Sequence, residues 1–169
     1  MDKATRDILW KQFGATIDML ENAIKLCPEA VWKSSEGFWY SAYHTLFYLD
    51  YYLTYEPEGF HPPAPFTLSE FDPNGLMPDR VYSQEELLVY LQFCREKCFH
   101  LINGLTPERA AKRWVNPYRN YSITEILLYN MRHVQHHAGQ LNLLLRQTID
   151  DAPRWVSQTK HYVDNDRNE

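Results

Sequence analysis

The sequence predicts an all-α protein, a four-helix bundle with a long proline-rich connection between helices 2 and 3. Three observations predict this fold. Four long segments repeat apolar residues every three or four positions, which is the spacing of one face of a helix. No segment shows a convincing strand pattern. Prolines cluster between residues 56 and 82, where they interrupt any helix.

The first two long helices are separated by a proline. The first is expected over about residues 3–26 and ends at Cys27, because the residue before Pro28 is disfavoured in the helical region. The second is expected over about residues 35–55, in a stretch rich in aromatic residues. The segment that follows, residues 56–82, is expected to cover one end of the bundle in part, because structureless loops of this length are usually functional.

The third and fourth long helices each begin with a capping-box pattern. Ser83 and Glu86 are spaced so that each side chain satisfies the backbone N–H of the other, and Ser122 and Glu125 repeat this spacing. The third helix is expected to end near residue 103 and the fourth near residue 148, with a short helical turn from Thr106 between them. Residues 1–150 are thus expected to form one helical domain, followed by a polar tail over residues 151–169 that frays beyond Trp155 and Val156.

The composition excludes several classes of function. The 169 residues suffice for one domain with a sizeable core. The net charge of −5 and the lack of a Lys/Arg stripe argue against nucleic-acid binding. No apolar run is long enough to cross a membrane, and the charged start of the chain is unlike a signal peptide. Three cysteines, an odd number, give no disulfide framework, so a reducing cytoplasm is the expected location.

The most informative stretch reads His-Val-Gln-His-His-Ala-Gly-Gln and covers residues 133–140. His133 and His137 are four residues apart, so they lie on one face of a helix with Cβ atoms about 5–6 Å apart. His44 is the one other histidine in the middle of an apolar helix, where its neighbours on the same face are aromatic. Because bundles build metal sites from facing helices, His44, His133 and His137 are predicted to bind one divalent metal ion and to leave positions open.

Each histidine also has a simpler interpretation. Any one of them alone is typical of a hydrogen-bonded core residue or of a surface residue. His136 can pair with His133 in place of His137, although a position at a helix interface or near the rim of the site is favoured. The Glu-x-x-His spacing that ends at His61 lies outside a helix and does not recur, which disfavours a ferritin-like di-iron site. The remaining histidines, His100 and His161, are expected at the surface.

The histidine pattern resembles that of a known family. The run over residues 133–141 is similar to the His-x-x-His-His-x-Gly-Gln pattern of the DinB-like (YfiT-like) superfamily of metal-dependent bundle proteins, which have a further histidine in the second helix, here His44. Four helices with a long break between the second and third also suit this family, and the likeness extends to about Arg146. The chain departs from many members at Ala138, where they carry arginine.

The resemblance implies a DinB-like four-helix bundle over residues 1–150, with the three histidines as ligands of a divalent metal ion. It implies nickel or zinc, with iron or manganese as further candidates, and a homodimer. Gly139 would then be a point of close helix packing, and Gln140 a group beside the site or at its rim. Characterised relatives include transferases and isomerases that use low-molecular-weight thiols. The implied partners are therefore a small-molecule substrate and such a thiol.

The leading functional hypothesis is a metal-dependent enzyme that transfers a low-molecular-weight thiol to a small electrophilic substrate. Asn130, one turn before His133, is a candidate to orient an imidazole or the substrate. An aromatic wall on the second helix would supply an apolar pocket edged by hydroxyl groups, with Tyr48 as a candidate catalytic residue, although tyrosines at helical spacing are also typical of a core or a dimer interface. The expected wall comprises Tyr40, Phe47, Tyr48 and Tyr51. The alternatives are a metal-dependent hydrolase that uses activated water and a non-catalytic metal-binding stress-response protein.

Overall fold

The computed structural model describes residues 1–161, which are mostly helical and contain one small sheet. The expectation of an all-α protein is confirmed at this level. The helices are α1 (Lys3–Leu26), α2 (Glu29–Trp32), α3 (Phe38–Tyr52), α4 (Gln84–Asn103), α5 (Pro107–Ala111) and α6 (Ile123–Ile149), with a short 3₁₀ turn at Ser69–Phe71. The strands are β1 (Arg113–Asn116) and β2 (Arg119–Ser122).

The four longest helices pack against one another. Helices α1 and α3 each pack against both α4 and α6, so the apolar faces of all four meet in one core. Phe13, Leu46 and Leu127 are fully buried members of that core, contributed by three different helices. None of the described helices is long and apolar enough to cross a membrane.

Helix α1 has the predicted bounds, but α3 is shorter than predicted. The side chain of Asp2 caps α1 by accepting a hydrogen bond from the backbone N–H of Thr5 at 2.8 Å. Helix α3 begins only at Phe38, because Gly37 before it has a positive φ of 71°, a conformation outside the helical region. The short helix α2, which the sequence analysis did not predict, precedes this turn.

One of the two capping boxes forms completely. At α4 the Ser83 side chain accepts from the backbone N–H of Glu86, and the Glu86 side chain accepts from the backbone N–H of Ser83. At α6 the Ser122 side chain accepts from the N–H of Glu125, but no return bond is present among the described residues. Ser122 is also the last residue of β2, so its backbone belongs to a strand rather than to a free loop.

The expectation that the chain contains no strand was wrong for residues 113–122. Strands β1 and β2 form an antiparallel hairpin in which Trp114 pairs with Tyr121 and Asn116 with Arg119. Trp114 is fully buried and its indole N–H donates to the backbone oxygen of Thr54 at 2.9 Å. Each strand has four residues, so the alternation of buried and exposed side chains was too short to distinguish from a loop.

The connection between α3 and α4 packs on these helices through aromatic rings. Phe66 is buried and stacks on Tyr90 of α4 with ring centroids 4.4 Å apart. Phe71 contacts Phe47 and Tyr51 of α3 edge-on, at 4.9 and 4.8 Å. The connection thus packs along the aromatic face of α3, next to His44. We refer to residues 53–83 below as the covering segment.

The predicted tail is ordered as far as the structure describes it. The N–H of Thr159 donates to the backbone oxygen of Lys11, and the indole N–H of Trp10 donates to the backbone oxygen of His161, both at 3.0 Å. Thr159 is buried against Gly14, where an added Cβ would lie only 2.4 Å from Cγ2 of Thr159. The expected fraying beyond Val156 was therefore wrong up to residue 161; residues 162–169 of the predicted tail lie outside the described residues.

Candidate metal centre

The structure brings together the three histidines that the sequence analysis singled out. One ring nitrogen from each of His44, His133 and His137 lies within 4.8 Å of those of the other two. The ring centroids of His133 and His137 are 4.5 Å apart, and the His44 ring lies 5.6 Å from that of His133 and 4.9 Å from that of His137. The geometry follows from the sequence, because α3 and α6 pack together and residues four apart on α6 share one face.

Glu70 of the covering segment lies directly behind His44. Its side chain is only 4% exposed, and its Oε2 lies 2.6 Å from Nδ1 of His44. A carboxylate only accepts hydrogen bonds, so Nδ1 of His44 is the donor in this contact, and Nε2 is the ring nitrogen left to bind a metal ion. Metal-binding histidines are commonly oriented by such a carboxylate.

The contact of Glu70 with His44 was not predicted from the sequence. Glu70 stands in the 3₁₀ turn Ser69–Phe71, within a segment whose residues follow no helix or strand period. Without a period, nothing in the sequence fixes which side chain of the covering segment points at α3. The unusual length of the segment was the one available signal.

Burial keeps His133 and His137 in the neutral form. Burial, followed by the neighbouring imidazoles of His137 and His44, lowers the pKa of His133 to about 3. Burial and the rings of His44 and His136 lower the pKa of His137 to about 4. Both rings therefore have a free lone pair at pH 7, which is the form that binds metal ions.

The donor set fits a divalent metal ion of the zinc or nickel class. Nδ1 of His133 is buried and has no hydrogen-bond partner among residues 1–161. An unpaired buried nitrogen is costly unless another group satisfies the ring. Imidazole nitrogens suit zinc, nickel, copper and iron, and three of them leave room for further ligands.

The aromatic residues of α3 divide into two groups around this centre. Tyr48 faces the histidines, with its ring 4.8 Å from His44 and 5.8 Å from His133. Tyr40 lies on the same side, 6.4 Å from His44. Phe47 and Tyr51 instead pack against the covering segment through Phe60 and Phe71. Tyr52, which was not predicted, lies edge-on to His133 at 5.9 Å.

The Tyr48 hydroxyl fastens the covering segment to α3. It donates to the backbone oxygen of Glu70 at 3.2 Å. Burial, followed by the nearby Glu70 carboxylate, raises the pKa of Tyr48, so the hydroxyl keeps its proton at neutral pH. Its catalytic role stays a prediction.

Asn130 is fully buried between α6 and α3. Its Nδ2 donates to the backbone oxygen of Leu49 at 3.0 Å, and its Oδ1 has no partner in the described part of the chain. The bond ties the two helices together one turn before His133. A role for Asn130 in orienting an imidazole or a substrate stays a prediction.

Three further residues of the histidine motif, His136, Gly139 and Gln140, are exposed. His136 is exposed with its ring 5.2 Å from that of His137, the position near the rim that was favoured. Gly139 was expected to allow close helix packing, and this was wrong: it is exposed, and nothing lies within 4 Å of an added Cβ. Ala138 is the residue buried in the core. Gln140 is exposed.

A second group of possible ligands is an ion-pair cluster. Asp18, Glu21 and His161 lie close enough together to hold an ion. However, the buried guanidinium of Arg95 already pairs with both carboxylates, and His161 is 58% exposed. The positive charge of Arg95 takes the place that a cation would need.

A cleft of about 480 Å³ runs along α6 beside the three histidines. Its lining among the described residues consists of Tyr129, Arg132, His133, Gln135 and His136. Arg119 of β2 lies at the same end as Tyr129, donating to the Tyr129 hydroxyl at 2.8 Å with its guanidinium carbon 4.9 Å from the ring. His133 thus borders both the cleft and the group of three histidines.

Comparisons of the chain with models of protein families, with curated proteins and with solved structures gave no significant match. Membership of the DinB-like superfamily stays a prediction from the histidine pattern.

Proposed function

We propose that this protein is a metal-dependent enzyme of the DinB-like type, in which a four-helix bundle holds a nickel or zinc ion through His44, His133 and His137. The reaction proposed is the transfer of a low-molecular-weight thiol to a small electrophile. The observation that carries the proposal is the approach of three imidazole nitrogens to within 4.8 Å of one another, from two packed helices.

The chain supplies the ligands in a suitable state. His133 and His137 are held neutral by burial, and Glu70 holds the proton of His44 on Nδ1. Three protein ligands are typical of catalytic sites, because structural sites are closed by four. When bound, the ion would lower the pKa of a coordinated thiol or water and so supply a nucleophile at neutral pH.

The residues around the histidines exclude part of the solvent from the site. The rings of Tyr48 and Tyr52 pack against His133, and the covering segment shields His44 through Glu70. A partly dry site strengthens electrostatic interactions with the reacting groups. In the proposed reaction a carbon–sulfur bond forms, the bond to the leaving group breaks, and the leaving group departs with the thiol proton.

Metal content and turnover of two matched variants test the proposal. The protein is purified without added metal, its bound ions are quantified, and thiol conjugation to a chloronitrobenzene is measured with and without chelator. We expect one divalent ion per chain and turnover that disappears with chelator and in His137→Ala. His61→Ala, which removes an exposed histidine outside the cleft and the group of three histidines, is the control and should keep both metal and turnover.

The other outcomes separate the alternatives. A wild-type protein that binds no divalent ion overturns the proposal. Bound metal with no turnover across a panel of thiols and esters favours a non-catalytic metal-binding protein. Ester hydrolysis that needs metal but no thiol favours a hydrolase.

A further inference from the structure

The cleft beside His133 presents positive charge next to the metal centre. Four of the residues that line it, Tyr129, Arg132, His133 and His136, are separated by three, one and three positions. This spacing places them on one side of α6. Arg132 is exposed and lines the cleft, and Arg119 of β2 lies next to it, where it donates to the hydroxyl of the lining residue Tyr129. No aspartate or glutamate is among the described lining residues.

Both arginines lack an acidic partner within residues 1–161. Two other arginines of this acidic chain do pair with carboxylates: Arg80 with Glu86, and Arg95 with Asp18 and Glu21. Arg119 rests instead on aromatic rings, 4.9 Å from Tyr129 and 5.8 Å from Tyr52. Such stacking orients a guanidinium and leaves its remaining N–H groups free to bind an anion.

The spacing between the arginines and the histidines suits a small ligand. Tyr129, against which Arg119 packs, is one helical turn before His133, a rise of about 5.4–6 Å along the axis. Arg132 directly precedes His133 in the chain. A molecule whose carboxylate is separated by a few bonds from its reacting end therefore spans the distance from the arginines to the metal centre.

We propose that this cleft recognises a carboxylate on the thiol substrate, with Arg119 and Arg132 binding the carboxylate while the thiol end lies at the three histidines. The inference rests on the proposed function and adds the chemical class of the thiol. A guanidinium matches a carboxylate in shape and charge and binds it through two parallel hydrogen bonds. A neutral amide of the same size lacks the charge and the second acceptor oxygen, so it can accept one weaker bond through its carbonyl oxygen.

Binding of a matched pair of thiols tests the inference. The zinc-loaded protein is titrated calorimetrically with 3-mercaptopropionate and with 3-mercaptopropionamide, which differ only in the charge of the far end. We expect the acid to bind the wild-type protein roughly tenfold tighter than the amide, the ratio that one charge-assisted hydrogen bond provides. Arg132→Gln and Arg119→Gln should each bring this ratio towards one, because they weaken the binding of the acid more than that of the amide.

A control variant makes the result specific. Arg146→Gln removes the same charge from an exposed position further along α6, outside the cleft, and should keep the wild-type ratio. Arg132 is exposed, so its replacement leaves the core intact and the test does not depend on whether Arg119→Gln folds.

The two proposals fail in different ways. Equal affinity for acid and amide in a zinc-binding wild-type protein overturns the carboxylate site and leaves the metal site standing. The same conclusion follows if the acid is preferred but neither cleft variant changes the ratio. Failure of the wild-type protein to bind zinc overturns the proposed function itself.

Discussion

Oε2 of Glu70 lies 2.6 Å from Nδ1 of His44, and the rest of the Glu70 side chain is almost completely buried. The contact joins the covering segment to α3 at the point where α3 meets α6. It also fixes which nitrogen of His44 faces the other two histidines. The carboxylate therefore positions an imidazole that the helices alone would leave free to rotate.

Replacing Glu70 should weaken metal binding without unfolding the protein. Glu70→Gln keeps the size of the side chain and removes its charge, so His44 loses its charged partner. We expect the affinity for zinc, measured by competition with a chromophoric chelator, to fall about 10–100-fold. Glu58→Gln, an exposed glutamate of the same segment, should have no effect. Equal zinc affinity in Glu70→Gln and wild type would show that Glu70 does not orient His44.

The metal-free protein should lose stability as the pH falls below about 6.5. In the unfolded chain His133 and His137 bind protons below pH 6.5, the ordinary pKa of histidine, whereas in the folded protein they stay neutral until about pH 3 and 4. The unfolded state therefore binds more protons in this window. The stabilising contribution is complete above pH 6.5 and is lost as the pH falls towards the folded-state values.

Denaturant unfolding of the metal-free protein between pH 7.5 and 4.5 measures this effect. Each of the two histidines contributes a slope of at most about 1.4 kcal/mol per pH unit, and the pH window is narrower for His137 because its pKa in the folded protein is higher. His133→Gln should give a shallower pH dependence than wild type, and His61→Gln, which replaces an exposed histidine, should not. An identical pH dependence in His133→Gln and wild type would contradict the burial of a neutral ring.

An alanine at position 14 should displace the segment around Thr159. The new Cβ would lie 2.4 Å from Cγ2 of Thr159, closer than packed atoms allow. We expect Gly14→Ala to lower the free energy of unfolding by about 1–3 kcal/mol, the usual range for overpacking. Thr159→Gly should restore part of the loss in the double variant.

Gly139→Ala is the matched control for this substitution. It makes the same change inside a helix at an exposed position where nothing lies within 4 Å of the added Cβ. It should raise stability by about 0.5–1 kcal/mol, because glycine is a poor helix former. If both variants have the same stability, the contact between Gly14 and Thr159 does not form.

The ion pair between Asp50 and Lys97 should be important for the packing of α3 on α4. Asp50 is 1% exposed and accepts from Lys97 Nζ at 2.5 Å and from the Tyr90 hydroxyl at 2.9 Å. Lys97→Ala leaves the buried carboxylate without its cation and should cost about 3 kcal/mol in chemical unfolding. Lys33→Ala breaks an exposed helical pair with Glu29 and should cost less than about 1 kcal/mol.

The sequence predicted the group of three histidines because helices are periodic. Residues four apart share a face of α6, and the aromatic neighbours of His44 marked the buried side of α3. Once the two faces are known to meet, few arrangements of His44, His133 and His137 remain. The bounds of α1 and the cap of α4 were predicted for a similar reason, since both depend on residues close together in the chain.

The features that the sequence did not predict depend on contacts between distant residues. Glu70 reaches His44 across 26 positions of the chain, and Trp114 is buried through its bond to Thr54, 60 positions away. Thr159 packs against Gly14 from the other end of the described chain. None of these contacts follows a local period, so a single sequence gives no pattern from which to predict them.

The stacking of Phe66 on Tyr90 has a consequence for remote substitutions. This pair anchors the covering segment on α4, while Glu70, four residues further along, leans on His44. Occupation of the three-histidine centre and anchoring of Phe66 are then thermodynamically linked, and linkage is reciprocal. The affinity for a cation then depends on how the whole connecting segment packs. Replacing Phe66, whose ring lies on α4 and away from the histidines, should therefore weaken cation binding.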